Sequence, residues 1–205
     1  MTSSLSPSTE ALVTLSAALA SRSPQAVDAA LRLAAAQAPP AEVEEALLQS
    51  YLFLGYPAAL DAFARWRELS GVPAPEAAAD PGPSDERGAA VCRTVYGGRY
   101  EALRANVRRL HPDMERWMVS EGYGKVLGRP GLPLATRELC VVALLATLDA
   151  PRQLYSHLRG ALHAGASETE VGRALELAGV MSGREARARA DEVWASVRAR
   201  GERDG

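Results

Sequence analysis

Residues 122–139 read GYGKVLGRPGLPLATREL and residues 157–171 read HLRGALHAGASETEV. The first run contains a turn, Gly128-Arg129-Pro130-Gly131, that breaks any helix before Thr136, a residue suited to cap the next one. From about 136 to 148 apolar residues stand at 139, 141, 142, 144, 145 and 148, which covers most of a helix circumference and predicts a buried helix. Around the second run, Leu154, Leu158, Ala161 and Leu162 form the stripe of a helix over about 152–164. Ser167 and Glu170 then make a capping box that opens another.

The same period extends outward in both directions. Leu12, Leu15 and Leu19, then Val27 and Leu31, then Val43, Leu47, Leu48 and Leu52 all recur at helical spacing, and Ser23-Pro24 reads as an N-cap followed by proline at the first helical position. Alanine is abundant, and it loses no side-chain entropy on entering a helix. The expectation is an all-α protein. Residues 71–87 hold Pro73, Pro75, Pro81 and Pro83 with no apolar period and read as a linker. It separates an N-terminal block, 8–70, from a C-terminal block, 88–205, which has further turns at Gly97-Gly98 and His111-Pro112.

The two blocks repeat one another at an offset of 128 residues: Glu10 with Glu138, Glu42-Val43 with Glu170-Val171, Ala46-Leu47 with Ala174-Leu175, Gly55 with Gly183, Trp66 with Trp194. Leu31-Arg32 meets Leu158-Arg159 at 127, a slip of one residue within a turn. Two tandem helical units packed as a pseudo-dimer are expected.

Composition bounds the function classes. The 205 residues carry a formal net charge of -2 and two cysteines, which argues against a strongly basic nucleic-acid binder and a disulfide-stapled secreted domain. The opening residues 1–10 lack a basic segment followed by an apolar run, and no stretch reaches the roughly 18 apolar residues of a membrane span. A cytoplasmic protein with reduced thiols, without membrane or nucleic-acid partners, is the expectation.

The runs 122–139 and 157–171 together resemble the carboxymuconolactone decarboxylase family, the all-helical group that also contains alkyl hydroperoxidase D. GAAVCRTVYGG (88–98) and Asn106 look like the opening of a decarboxylase-type member, and EEALLQSYLFLGYPAALDAF (44–63) resembles the segment that follows the family's histidine helix. The resemblance implies the fold and a homo-oligomer, a trimer or else a dimer. In the peroxidase branch a glutamate is followed by Cys-x-x-Cys and a histidine. Glu138 and His157 stand at the corresponding places, nineteen residues apart, but the cysteine positions hold Ala150 and Gln153. Without those thiols the peroxidase cycle has no electrons to pass.

Decarboxylation of an unsaturated lactone acid needs a group to return a proton to carbon. His157 is the candidate acid or base, with Glu138 to orient it, and Arg137 or Arg159 as candidates to hold a small-molecule carboxylated substrate. No cofactor is called for, and no ligand spacing supports a metal at His157, His163 and Glu138. In each case a plainer role competes: a hydrogen-bonded core histidine, a glutamate favouring a helix dipole, salt-bridged arginines. His163 reads as a helix C-cap, His111 as a turn residue, and Tyr51, Phe53, Tyr56, Phe63 and Trp66 as an aromatic cluster. The N-terminal unit keeps Glu10 but has Ala30 in place of the histidine, so at most one reactive site per chain is expected, completed by residues 45–63 of the other unit. A decarboxylase-like enzyme, a redox protein and a non-catalytic helical assembly module are the three readings that follow.

Overall fold

The computed structural model describes residues 5–76 and 82–204, and among them every regular element is helical. In chain order these are α1 (Pro7–Ser21), α2 (Pro24–Gln37), α3 (Pro40–Ser70), α4 (Asp85–Tyr96), a 3-10 turn (Gly97–Arg99), α5 (Tyr100–Leu110), α6 (Pro112–Trp117), a π-helical segment (Met118–Leu127), α7 (Leu134–Thr147), α8 (Pro151–His163), α9 (Glu168–Met181) and α10 (Arg184–Asp204). Local chemistry accounts for most of the boundaries. Ser6, Ser23, Ser84 and Ser167 each cap the helix that follows, and Ser167 with Glu170 completes the capping box.

Two boundaries differ from the sequence expectation. α7 begins at Leu134 rather than 136, because Pro133 takes the N-cap position without help from Thr136. Of the expected linker over 71–87, residues 77–81 lie outside the described residues, while 85–87 already belong to α4. Ser84 accepts from the Arg87 amide, and Asp85 and Glu86 favour the positive end of the helix dipole, so the charged run SDER starts a helix.

The repeat is visible in three dimensions. α7 and α8 start 127 residues after α1 and α2, and α9 starts 128 after α3. α3 is itself broken at Gly55, whose backbone lies at φ 81°, and Gly183, 128 residues later, separates α9 from α10. Each unit is therefore the same four-helix arrangement, and the two pack as a pseudo-dimer about α1 and α7, which lie against each other at the centre. α7 is buried over Arg137–Ala146 and α1 over Ala11–Ala20 apart from Thr14, as expected for helices enclosed on nearly all sides.

Charged side chains join the units at the ends of this seam. Glu10 of α1 pairs with Arg173 of α9 at 2.5 Å, and Glu45 of α3 pairs with Arg137 of α7 at 2.7 Å and with Arg129 at 3.0 Å. Positions 45 and 173 are equivalent in the repeat but carry opposite charges.

Between the units, α4 lies flat against the π-helical segment. A Cβ on Gly88 would stand 1.9 Å from the Val119 carbonyl oxygen, and one on Gly124 would stand 2.1 Å from that of Ser84. Only glycine permits backbones this close. The Arg87 side chain bonds the Gly124 carbonyl across the same contact. No helix among the described residues is long and apolar enough to cross a membrane.

Candidate active site

α7 and α8 pack against each other and bring Glu138 and His157 together. His157 Nδ1 lies 2.8 Å from Glu138 Oε2; Glu138 is fully buried and His157 is 7% exposed. A carboxylate can only accept, so Nδ1–H donates and Nε2 is the ring nitrogen left over. Nε2 has no hydrogen-bond partner among the described residues, and neither does the buried Glu138 Oε1.

The approach of α7 to α8 depends on Gly160. A Cβ there would meet Val95 Cγ1 of α4 at 2.6 Å and Glu138 Oε2 at 2.7 Å. Gly160→Ala is expected to push the carboxylate off the imidazole and to lower stability by about 1–3 kcal/mol, as overpacking of a closed core does. Urea denaturation measures the second effect, and an unchanged midpoint would contradict the packing argument.

Other elements pack around α7 and α8. Phe53 of α3, from the N-terminal unit, sets its ring edge-on to His157, with centroids 6.0 Å apart and planes at 79°. On the α4 side, the hydroxyls of Tyr96 and Tyr123 are 2.6 Å apart, and their rings meet edge to face at 5.8 Å. Burial pushes both phenols above their ordinary range, and the Glu138 charge adds to that. Burial pushes the Cys92 thiol up to about 12; Arg104 opposes the shift and Glu138 adds to it. Cys140, enclosed in α7, is pushed up to about 11 for the same first reason, with a bond to Ser16 opposing. Both thiols are held protonated and unreactive at neutral pH.

The two candidate arginines do not join the pair. Arg137 is fully buried, and its guanidinium bonds Glu45, Gln49 and the carbonyls of Arg129 and Pro130. Arg159, two residues past His157, lies on another face of α8 beside Tyr155. There burial raises the phenol, but bonds to Arg159 and Arg200 outweigh it and leave Tyr155 below its usual range. His163 does not cap α8: its Nδ1 bonds the Val95 carbonyl at 2.8 Å and ties the end of α8 to the end of α4. His111 caps α6 by accepting from the Asp113 amide. The aromatic residues of α3 part company, since Trp66 is buried, Tyr51 and Tyr56 stack with centroids 5.1 Å apart, and Phe53 reaches the other unit.

The N-terminal unit holds no equivalent pair. Glu10 is taken by Arg173, and Ala30, buried in α2, stands where His157 stands in α8.

Comparison with known proteins places the helical units in a family. The model of the carboxymuconolactone decarboxylase family matches residues 1–68 and 112–195, which includes Glu138 and His157 and leaves out 69–111, so the resemblance of 88–98 and Asn106 to a decarboxylase opening lies outside the match. A 4-carboxymuconolactone decarboxylase of Acinetobacter baylyi is 32% identical over 66 residues, covering 32% of this chain and 49% of that protein. Peroxisomal protein 2 of Schizosaccharomyces pombe is 27% identical over 143 residues, 67% of each chain. The alignment to the Acinetobacter protein thus spans about half of its length. With most of its length matched in two regions that coincide with the two helical units, this chain belongs to the carboxymuconolactone decarboxylase family.

Proposed function

We propose that the chain decarboxylates a small carboxylated lactone or a related ring-cleavage product, with His157 moving the proton and Glu138 orienting it. The observation that carries this reading is the buried Nδ1–Oε2 bond of 2.8 Å, which leaves Nε2 without a partner beside an apolar wall. Loss of carbon dioxide leaves an electron pair on the substrate, and a proton must be returned to carbon for the product to form. A proton carried at Nε2 is suited to be given, and the Glu138 carboxylate keeps the ring oriented by accepting from Nδ1–H. Arg137 has no part in the proposal, because Glu45 and two carbonyls occupy it. Arg159 has none either, because it lies beside Tyr155.

The Acinetobacter relative supports 4-carboxymuconolactone as the first compound to try. The thiols argue against the redox reading: Ala150 and Gln153 replace the paired cysteines, and Cys92 and Cys140 are held protonated. Turnover in deuterium oxide tests the proton role. The product is expected to carry solvent deuterium at one ring carbon in a single configuration, and absence of product, or a racemic label, would contradict it.

We also propose that a few chains assemble, as a trimer or else a dimer, through α3. Tyr56 and Leu60 lie four residues apart on one face of it, each 64% exposed. A monomer by light scattering at micromolar concentration would sink that idea.

A further inference from the structure

The tyrosine pair of α4 and the π-helical segment, near enough for the Glu138 charge to act on both phenols, takes no part in the proton transfer by His157. Tyr123 is 4% exposed and Tyr96 is half-buried, with their hydroxyls 2.6 Å apart. At that distance one O–H donates to the other oxygen. Among the described residues the Tyr123 hydroxyl has no partner other than Tyr96, and a buried hydroxyl left without an acceptor loses the hydration it had in the unfolded chain with nothing to replace it. Tyr123 therefore donates to Tyr96, and the Tyr96 O–H is left over. It too has no acceptor among the described residues.

The placement of this spare donor is built by several parts of the fold. The π-helical segment, a conformation rare in proteins and frequent at functional sites, carries Tyr123, and the contact at Gly88 and Gly124 holds it against α4. Val95, the residue before Tyr96, lies against Gly160 next to the Glu138 carboxylate, and His163 bonds its carbonyl. The end of α4 is thereby fixed against α8, with Val95 beside the Glu138 carboxylate. Tyr96 also lies outside the regions that match the family, so this donor belongs to the segment between them.

We propose that Tyr96 is a catalytic residue that donates a hydrogen bond to the carbonyl oxygen of the bound lactone, and that Tyr123 is the positioning residue that sets its direction. This rests on the decarboxylation reading. In an unsaturated lactone carrying a ring carboxylate, the bond to carbon dioxide breaks and its electron pair moves through the conjugated ring onto the carbonyl oxygen. Tyr96 stabilises that oxyanion without giving up its proton. His157 protonates a ring carbon, the carbonyl re-forms, and one proton is consumed for each carbon dioxide released. No oxidant or reductant is needed.

Two substitutions test this, Tyr96→Phe and Tyr123→Phe, each checked for an unchanged melting temperature. With 4-carboxymuconolactone, Tyr96→Phe is expected to lower kcat about 100-fold, the effect of removing one oxyanion donor, with KM little changed. Tyr123→Phe should lose less, and the double variant should be no slower than Tyr96→Phe alone. A second readout does not depend on turnover. Wild type labelled at the tyrosine Cζ with carbon-13 is titrated by NMR with a butenolide acetate, which keeps the lactone carbonyl but has no ring carboxylate to lose; Tyr96→Phe assigns the resonance. A saturable shift of Tyr96 is expected. If wild type turns over no lactone acid but the resonance shifts, decarboxylation fails and Tyr96 stands as a lactone-binding donor. Turnover that survives Tyr96→Phe, or a resonance unmoved at millimolar analogue, overturns the assignment.

Discussion

Glu138→Gln is expected to lower the decarboxylation rate by about 100- to 10,000-fold, the range over which positioned acid–base groups contribute, while leaving the chain folded. Glutamine has nearly the same shape as glutamate, so the space against Gly160 remains filled. Its amide oxygen can still accept from Nδ1–H. What it lacks is the negative charge facing Nδ1–H that holds the ring in place as it passes its proton, and in a site this enclosed that charge acts through little water. The reduction should therefore fall on kcat, with binding less affected. A rate within threefold of wild type at an equal melting temperature would show that the carboxylate is a packing group alone.

Glu45→Ala is expected to produce the largest loss of stability, about 3–5 kcal/mol, because it leaves the fully buried Arg137 guanidinium without its carboxylate. Arg129, 12% exposed at its side chain, loses the same partner. In a chain of this size each kcal/mol lowers the melting temperature by about 2–4 °C. The cause is the stranded charge rather than the lost attraction. Hence Glu45→Leu combined with Arg137→Met should recover most of the loss, since apolar residues of similar volume often replace a buried ion pair without penalty. A single-variant loss below about 1 kcal/mol would place the pair among exposed bridges of little worth. This network matters to the site because Arg137 precedes Glu138, and Gln49 of α3 also bonds the Arg137 carbonyl at 3.3 Å. The seam between the units thus holds the turn of α7 that presents the carboxylate.

Much of this architecture was legible in the residues because it is written in local period and in repetition. The apolar stripes mark the helices, Ser23-Pro24 and the Ser167 capping box mark where two of them start, and Gly55 with Gly183 marks the same break in both units. The juxtaposition of Glu138 and His157 followed from family resemblance, since spacing alone does not show that two helices bring positions nineteen apart together. Contacts between distant segments left no such trace. Glu45 meets Arg137 across 92 residues, so the salt-bridged role open to Arg137 had no named partner in the sequence and a substrate role stayed open beside it, while the structure encloses it fully. His163 read as a helix cap because its partner, the Val95 carbonyl, lies 68 residues away. The tyrosine pair was hidden for another reason. Tyr123 sits in a π-helical segment, where the 3.6-residue period no longer says which side chain faces inward.

The proposed activity requires one buried imidazole to move a proton during decarboxylation. The direct measurement is ultraviolet-monitored loss of 4-carboxymuconolactone with purified wild type, run beside His157→Ala at equal concentration and equal folded fraction. Turnover by wild type that disappears in the variant is the expected result. Equal, near-background rates in both would contradict the assignment of this substrate and of His157 together, and would leave the helical pseudo-dimer standing.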